Sequence, residues 1–114
     1  MYDLCIIGFG ISGIPVARWA KHYNLNFIVL EKNDKLGGNW YENSYPDATL
    51  QTFAPSYSYS DLSLEPFITN KYANRDDILK YLDYYAKQFD LLDHVQFNST
   101  VVSTKQTDDI WDIK

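Results

Sequence analysis

Leu4-Cys5-Ile6-Ile7-Gly8-Phe9-Gly10-Ile11-Ser12-Gly13 is the stretch whose reading decides the fold. Its first four residues form an apolar run that reads as a buried parallel strand, and the glycines that follow at once are spaced GxGxxG. From Ile11 to Tyr23 the chain reads as a helix, with Ile14, Ala17, Trp19, Ala20 and Tyr23 as its apolar residues. Pro15 falls in the first turn of that helix, where a missing amide costs little. Phe27-Ile28-Val29-Leu30 is a second buried strand, closed by Glu31 eighteen residues after Gly13. Each glycine has a physical task in such a unit. Gly8 permits the tight turn, Gly10 lets the backbone approach a pyrophosphate, and Gly13 lets helix and strand pack closely. The free amides at the helix N-terminus face the phosphates, and Glu31 stands where a carboxylate accepts hydrogen bonds from a ribose diol. The pattern predicts a dinucleotide-binding βαβ unit, against a purely structural turn. It leaves the dinucleotide open between NAD(P) and FAD.

At 114 residues the chain is one domain at most. That is short for a dinucleotide-binding enzyme, which ordinarily has a second region for its substrate. The composition is that of a globular protein, 46% hydrophobic and 22% charged, with an aromatic content of 17% and most of its ten tyrosines between Tyr41 and Tyr85. A net charge of −5 without a basic patch argues against nucleic acid as a partner. Cys5 is the only cysteine, so an internal disulfide is excluded and a reducing compartment fits; it reads as a small buried hydrophobe on the first strand. No signal peptide fits ahead of a strand that starts at about Tyr2, and no apolar run approaches membrane-spanning length, so the expected location is cytoplasmic. His22 and His94, the only histidines, read as surface or helix-end residues, too few for a metal site.

Lys32 to Lys35 is a polar turn, followed by Leu36-Gly37-Gly38-Asn39-Trp40. From Tyr41 to Asn74 neither a helical nor a strand period is sustained, and Pro46, Pro55 and Pro66 interrupt it. Connections this long in a compact domain usually bind something or cover a site, and the aromatic content argues against disorder. Asn74 reads as a helix N-cap with Asp76 and Asp77 in the first turn. Ile78, Leu82, Tyr85 and Phe89 then make one apolar stripe, with the acids and lysines on a solvated face. Val95-Gln96-Phe97 reads as a third parallel strand. Thr100 to Lys105 and Ile110 to Ile113 read as two more, joined by a turn at Thr107-Asp108-Asp109.

The glycine motif, Glu31-Lys32 and Gly37-Gly38-Asn39-Trp40 together resemble the flavin-containing monooxygenases and the related Baeyer–Villiger monooxygenases, whose second motif is Gly-Gly-x-Trp. The resemblance continues through Tyr45, Leu50-Gln51-Thr52, Tyr57-Ser58-Tyr59-Ser60-Asp61, the helix from Tyr81 to Leu91, Val95-Gln96-Phe97, Val101 and Trp111-Asp112-Ile113. It implies an α/β fold: a Rossmann-like FAD-binding βαβ unit with a parallel sheet, a long irregular aromatic-rich loop, and the start of an antiparallel β-meander. It also implies roles. Gly8, Phe9, Gly10, Ile11, Ser12 and Gly13 would hold the FAD pyrophosphate, and Glu31 the adenosine ribose with Lys32 beside it. Gly38, Asn39 and Trp40 would lie along the flavin, where an indole stacks and donates one hydrogen bond. Gln51 and Thr52 would stand beside the isoalloxazine and the nicotinamide, with Gln51 the candidate catalytic residue in a position where many members carry Asn. Val101 would pair with adenine through its backbone.

Other family parts have no counterpart in these 114 residues: a second GxGxxG region for NADPH, a Phe-x-Gly and His signature before it, and a C-terminal segment that completes the FAD site. Residues 1–114 therefore resemble the N-terminal part of an FAD/NAD(P)-binding domain, truncated and without its NADPH domain. By resemblance the activity is that of an NADPH-dependent flavin monooxygenase: NADPH reduces FAD, and a flavin hydroperoxide oxygenates a soft nitrogen, sulfur or carbonyl substrate. This chain alone is expected to bind FAD or another ADP-containing dinucleotide without full turnover. The alternatives are a non-catalytic FAD/ADP-binding module and an NAD-binding domain. Unpaired strand edges beyond about Asn98 are expected to favour self-association.

Overall fold

A computed structural model describes residues 1–43, 48–50, 54–70 and 72–114 of the chain. Three parallel strands, β1 (Leu4–Ile7), β2 (Phe27–Leu30) and β3 (Val95–Gln96), form a sheet in the order β1-β2-β3. Leu4 pairs with Phe27 and Ile7 with Leu30, while Val29 and Leu30 pair with Val95 and Gln96. Helix α1 (Gly13–His22) makes the crossover between β1 and β2. It starts two residues later than the sequence suggests, because residues up to Ser12 are used by the turn. Ile14, Ala17 and Ala20 face the sheet, buried with Ile6, Phe27 and Val29. Trp19 and Tyr23, the other apolar residues read on this helix, are 44% and 68% exposed. At about 100° per residue they lie across the helix from Ile14, where they stack around His22 instead.

The strands are less buried than an apolar run implies. One face is covered, but Cys5, Ile28 and Leu30 on the other are only partly shielded, and Ile7 is 57% exposed. A parallel sheet is ordinarily covered on both faces.

Helix α3 (Arg75–Gln88) packs beside α1 and carries the other half of the core through Ile78, Tyr81, Leu82, Tyr85 and Ala86. Its start is the one expected at Asn74, and it is a full capping box. Asn74 Oδ1 accepts from the Asp77 amide at 2.9 Å, and Asp77 Oδ2 accepts from the Asn74 amide at 3.0 Å. Asp77 is therefore buried, not part of the solvated acidic face predicted for it; Thr69 donates to it as well.

Between Trp40 and Asn74 the described residues form short pieces packed on α3. They comprise helix α2 (Asn39–Glu42), 3-10 turns at Ala54–Tyr57 and Glu65–Phe67, and single bridges of Thr49 with Asn74 and Tyr59 with Leu62. Leu50, Leu64 and Ala73 belong to the core. Beyond β3, strands β4 (Thr104–Thr107) and β5 (Ile110–Ile113) form an antiparallel hairpin. Its first strand begins four residues later than predicted. Thr107 pairs with Ile110, so the turn narrows to Asp108 and Asp109, with Asp108 at φ 55°. All but Ile113 of these strand residues are exposed, Trp111 by 58%.

Candidate dinucleotide site

The turn after β1 is built by two steric demands. Gly8 adopts φ +97°, a region closed to most L-residues. A Cβ on Gly13 would lie 2.0 Å from the Gly8 carbonyl oxygen, so helix and strand meet backbone to backbone. The turn rests against a second glycine loop. A Cβ on Gly10 would stand 3.2 Å from Gly38 Cα, and the Gly37 amide donates to the Phe9 carbonyl at 3.0 Å. The two glycine motifs, far apart in sequence, are thus one wall.

The wall borders a cleft of about 520 Å³, within the usual range for small-molecule sites. Of the residues singled out from sequence, Gly8, Phe9, Gly10, Ile11, Ser12, Gly13, Glu31, Lys32, Gly38, Asn39, Trp40 and Val101 all line it. Gln51 and Thr52 lie outside the described residues. The lining also takes in Gly37, the first glycine of the Gly-Gly-x-Trp motif, and Glu42, Tyr57, Ser99 and Thr100, to which sequence reading gives no role at the site.

The amides of Gly10, Ile11, Ser12 and Gly13 donate to no acceptor among the described residues, which leaves four N–H groups beside the cleft. Phe9 differs. Its ring is buried in the core, its N–H donates to Glu31 and its carbonyl accepts from Gly37, so its one backbone donor is already engaged. Glu31 is only 3% exposed; its Oε2 accepts from the Phe9 amide at 2.6 Å and its Oε1 from the Asn33 amide at 3.1 Å. A carboxylate has about four acceptor positions, so capacity remains toward the cleft. The acid that ends β2 is thereby also a tie for the glycine turn.

Glu31→Gln is accordingly expected to cost more than a ligand contact. One end of the carboxamide becomes a donor facing a backbone N–H, and a buried donor left without an acceptor costs roughly 1–3 kcal/mol. Urea unfolding of the ligand-free variant measures this; an unchanged midpoint would leave Glu31 with no role in holding the turn.

Lys32 Nζ pairs with Glu42 Oε1 at 2.8 Å, and Asn33 Nδ2 donates to the same oxygen at 2.8 Å. The hydrogen bond that Lys32 donates to Glu42 raises the lysine's pKa, and the bonds Glu42 accepts from Lys32 and Asn33 lower its own. The Trp40 indole N–H, expected to serve a flavin, donates to Tyr57 Oη at 3.1 Å, with the rings edge to face. Arg75, at the start of α3, holds α2 in place: its Nε donates to the Trp40 carbonyl at 2.8 Å and its Nη2 to that of Tyr41 at 3.2 Å. Ser99 donates its amide to the Glu31 carbonyl, and this sets Val101 at the cleft with its own amide and carbonyl unused among the described residues. The described residues contain no group of three or more His, Cys, Asp or Glu arranged to hold a metal ion, and none of their helices is long and apolar enough to cross a membrane.

Residues 2–113 match the flavin-binding monooxygenase-like family. Among curated proteins, the chain is 31% identical over 116 residues to the FAD-binding monooxygenase VdtE of Byssochlamys spectabilis, a match that covers 98% of this chain and 20% of VdtE. It is 38% identical over 115 residues to the FAD-binding monooxygenase hmp7 of Hypomyces subiculosus, covering 98% of this chain and 19% of hmp7. Among solved structures, an oxidized steroid monooxygenase bound to NADP superposes with a TM-score of 0.91 at 31% identity, over 99% of this chain and 23% of that one. The chain thus spans about a fifth of the length of the relatives it matches.

Proposed function

Because the chain belongs to the flavin-binding monooxygenase-like family, we propose that residues 1–114 form the N-terminal part of an FAD-binding domain and hold the ADP half of the cofactor. The observation that carries this is the set of four amides at Gly10, Ile11, Ser12 and Gly13, without acceptors among the described residues, in the cleft that Glu31 and Val101 also line. The amides bind the pyrophosphate, which the helix N-terminus also favours electrostatically. Glu31 accepts from the ribose hydroxyls with the lone pairs that Phe9 and Asn33 leave free. The Val101 backbone serves the adenine edge. Gly38, Asn39 and Trp40 border the flavin half, with Trp40 oriented by Tyr57 and Arg75, and Gln51 and Thr52 are assigned to the flavin and nicotinamide side. When bound, the flavin supplies the redox chemistry of monooxygenation with NADPH as reductant; these residues bind, orient and exclude water.

We assign monooxygenase activity to a whole enzyme of the relatives' length, and dinucleotide binding without full turnover to these 114 residues alone. A cytoplasmic setting accords with the single, unpaired cysteine. The test is to incubate the purified chain with FAD, remove free flavin by desalting and record the spectrum. Retained flavin absorbance that excess ADP displaces is the expected result. Flavin lost entirely, with no competition by ADP, would refute the reading.

We also propose that the chain self-associates through its uncovered strand edges. Ile7 on the uncovered sheet face and Ile110 and Trp111 on the hairpin are at least half exposed, and a two-stranded hairpin is marginally stable by itself. Sedimentation at rising concentration is expected to show a growing weight-average mass. A concentration-independent monomer would contradict it.

A further inference from the structure

We propose that Tyr59, which does not line the cleft, is a positioning residue that aims the Ser12 amide at the ligand's pyrophosphate by holding the carbonyl of Ile11. The inference rests on the nucleotide-binding reading above. The Tyr59 hydroxyl donates to the Ile11 carbonyl oxygen at 2.7 Å, across 48 residues of sequence. The described residues contain no cis peptide bond. In a trans peptide the C=O and the following N–H point in opposite directions. A carbonyl drawn toward Tyr59 therefore turns the Ser12 N–H the other way, and Ser12 lines the cleft while Tyr59 does not. Glu31 does the complementary work from the other side, where it accepts from the Phe9 amide. The two side chains thus grip the turn at a donor and at an acceptor.

Tyr59 is itself immobilised by α3. Its amide donates to Tyr81 Oη at 2.8 Å, and the Tyr81 hydroxyl donates onward to the Leu62 carbonyl at 2.6 Å. Its ring packs on those of Tyr81 and Tyr85 at centroid distances of 5.6 and 4.6 Å. Tyr85 donates to Asp61 at 3.1 Å, and Arg18 of α1 lies 3.3 Å from the same carboxylate oxygen while stacking on Phe89. Burial pushes the Tyr59 phenol far above its ordinary pKa, which keeps the hydroxyl protonated as a donor.

The test compares the wild-type chain with Tyr59→Phe, which keeps the ring and removes one hydroxyl, and with Tyr85→Phe, which removes a hydroxyl from the same aromatic cluster and leaves both hydrogen bonds of Tyr59 in place. Each is titrated with ADP and with adenosine, followed by amide chemical shifts in a ¹⁵N-labelled chain. For Tyr59→Phe the expected result is an ADP affinity about three- to tenfold weaker, as for one hydrogen bond lost, with adenosine affinity unchanged within about twofold. Tyr85→Phe is expected to keep the wild-type ratio of ADP to adenosine affinity. Unchanged ADP affinity in Tyr59→Phe, equal losses for both ligands, or the same altered ratio in both variants would overturn the assignment. A Tyr59→Phe chain that does not fold would also overturn it, since the hydroxyl would then be a structural tie. A wild-type chain that binds no ADP would instead refute the nucleotide reading itself, and this inference with it.

Discussion

Gly13→Ala is expected to be the most damaging single-methyl change in the chain. The added Cβ would lie 2.0 Å from the Gly8 carbonyl oxygen and 3.0 Å from its carbon. Carbon and oxygen ordinarily stay about 3.3 Å apart or more even in favourable contacts, so α1 and β1 would have to separate by more than an ångström. Both sides of the contact are backbone, and no side chain can turn aside. Overpacking a core with a methyl group costs about 1–3 kcal/mol where side chains adjust; here about 3 kcal/mol or more is expected. A domain of this size has a total stability toward the low end of about 5–15 kcal/mol. The check is urea unfolding followed by circular dichroism, where the midpoint should collapse or the folded baseline vanish. A loss below about 1 kcal/mol would mean that helix and strand are not in contact at this point.

Gly10→Val should have the largest effect on binding. Its Cβ would stand 3.2 Å from Gly38 Cα, and its methyl groups would extend into a turn that borders the cleft. The change displaces the amides that receive the pyrophosphate, and each hydrogen bond to a charged group contributes about 1.5–3 kcal/mol. ADP affinity should therefore fall by about thirtyfold or more. From sequence, the reason for a glycine here is that the backbone must approach a pyrophosphate. The structure adds a second reason. Gly10 is also where the GxGxxG turn seats on the Gly37-Gly38 loop, beside the hydrogen bond from Gly37 to Phe9. Some loss of stability should accompany the loss of affinity. Paired calorimetry and thermal melts on Gly10→Val and Gly10→Ala separate the two effects. Unchanged ADP affinity in the valine variant would remove the turn from the binding site.

What was legible in the sequence follows from the range of the interactions. The tasks of Gly8 and Gly13 in the turn and its packing, and the cap at Asn74, are satisfied within a few residues of chain, so their signatures are local. That the three strands run parallel was legible too, because each is a short, mostly apolar run and helices lie between them. Trp19 and Tyr23 are as apolar as the residues α1 buries, yet they lie on the side of the helix that faces away from the sheet. From sequence, Asp77 is one more acid on a solvated face. Only the capping box, with Thr69 closing over it, explains its burial. Arg75 reaches the Trp40 carbonyl across 35 residues and Tyr59 reaches Ile11 across 48, both by way of a segment without period. Nothing in the local pattern around either residue marks such a contact. The polar residues Gln51 and Thr52 were legible only through family resemblance, and they lie outside the described residues.

The most direct test of the central claim is a calorimetric titration of the 114-residue chain with ADP and, separately, with FAD. If these residues hold the ADP half of the cofactor, ADP should bind saturably at one site per chain. FAD should then bind no more than about tenfold tighter, a difference of about 1.4 kcal/mol, because the flavin half gains little from the residues present. Absence of saturable ADP binding would contradict the assignment of the cleft. FAD binding tighter than ADP by orders of magnitude would contradict the division of labour, and would mean that this chain grips the flavin half as firmly as the adenosine half.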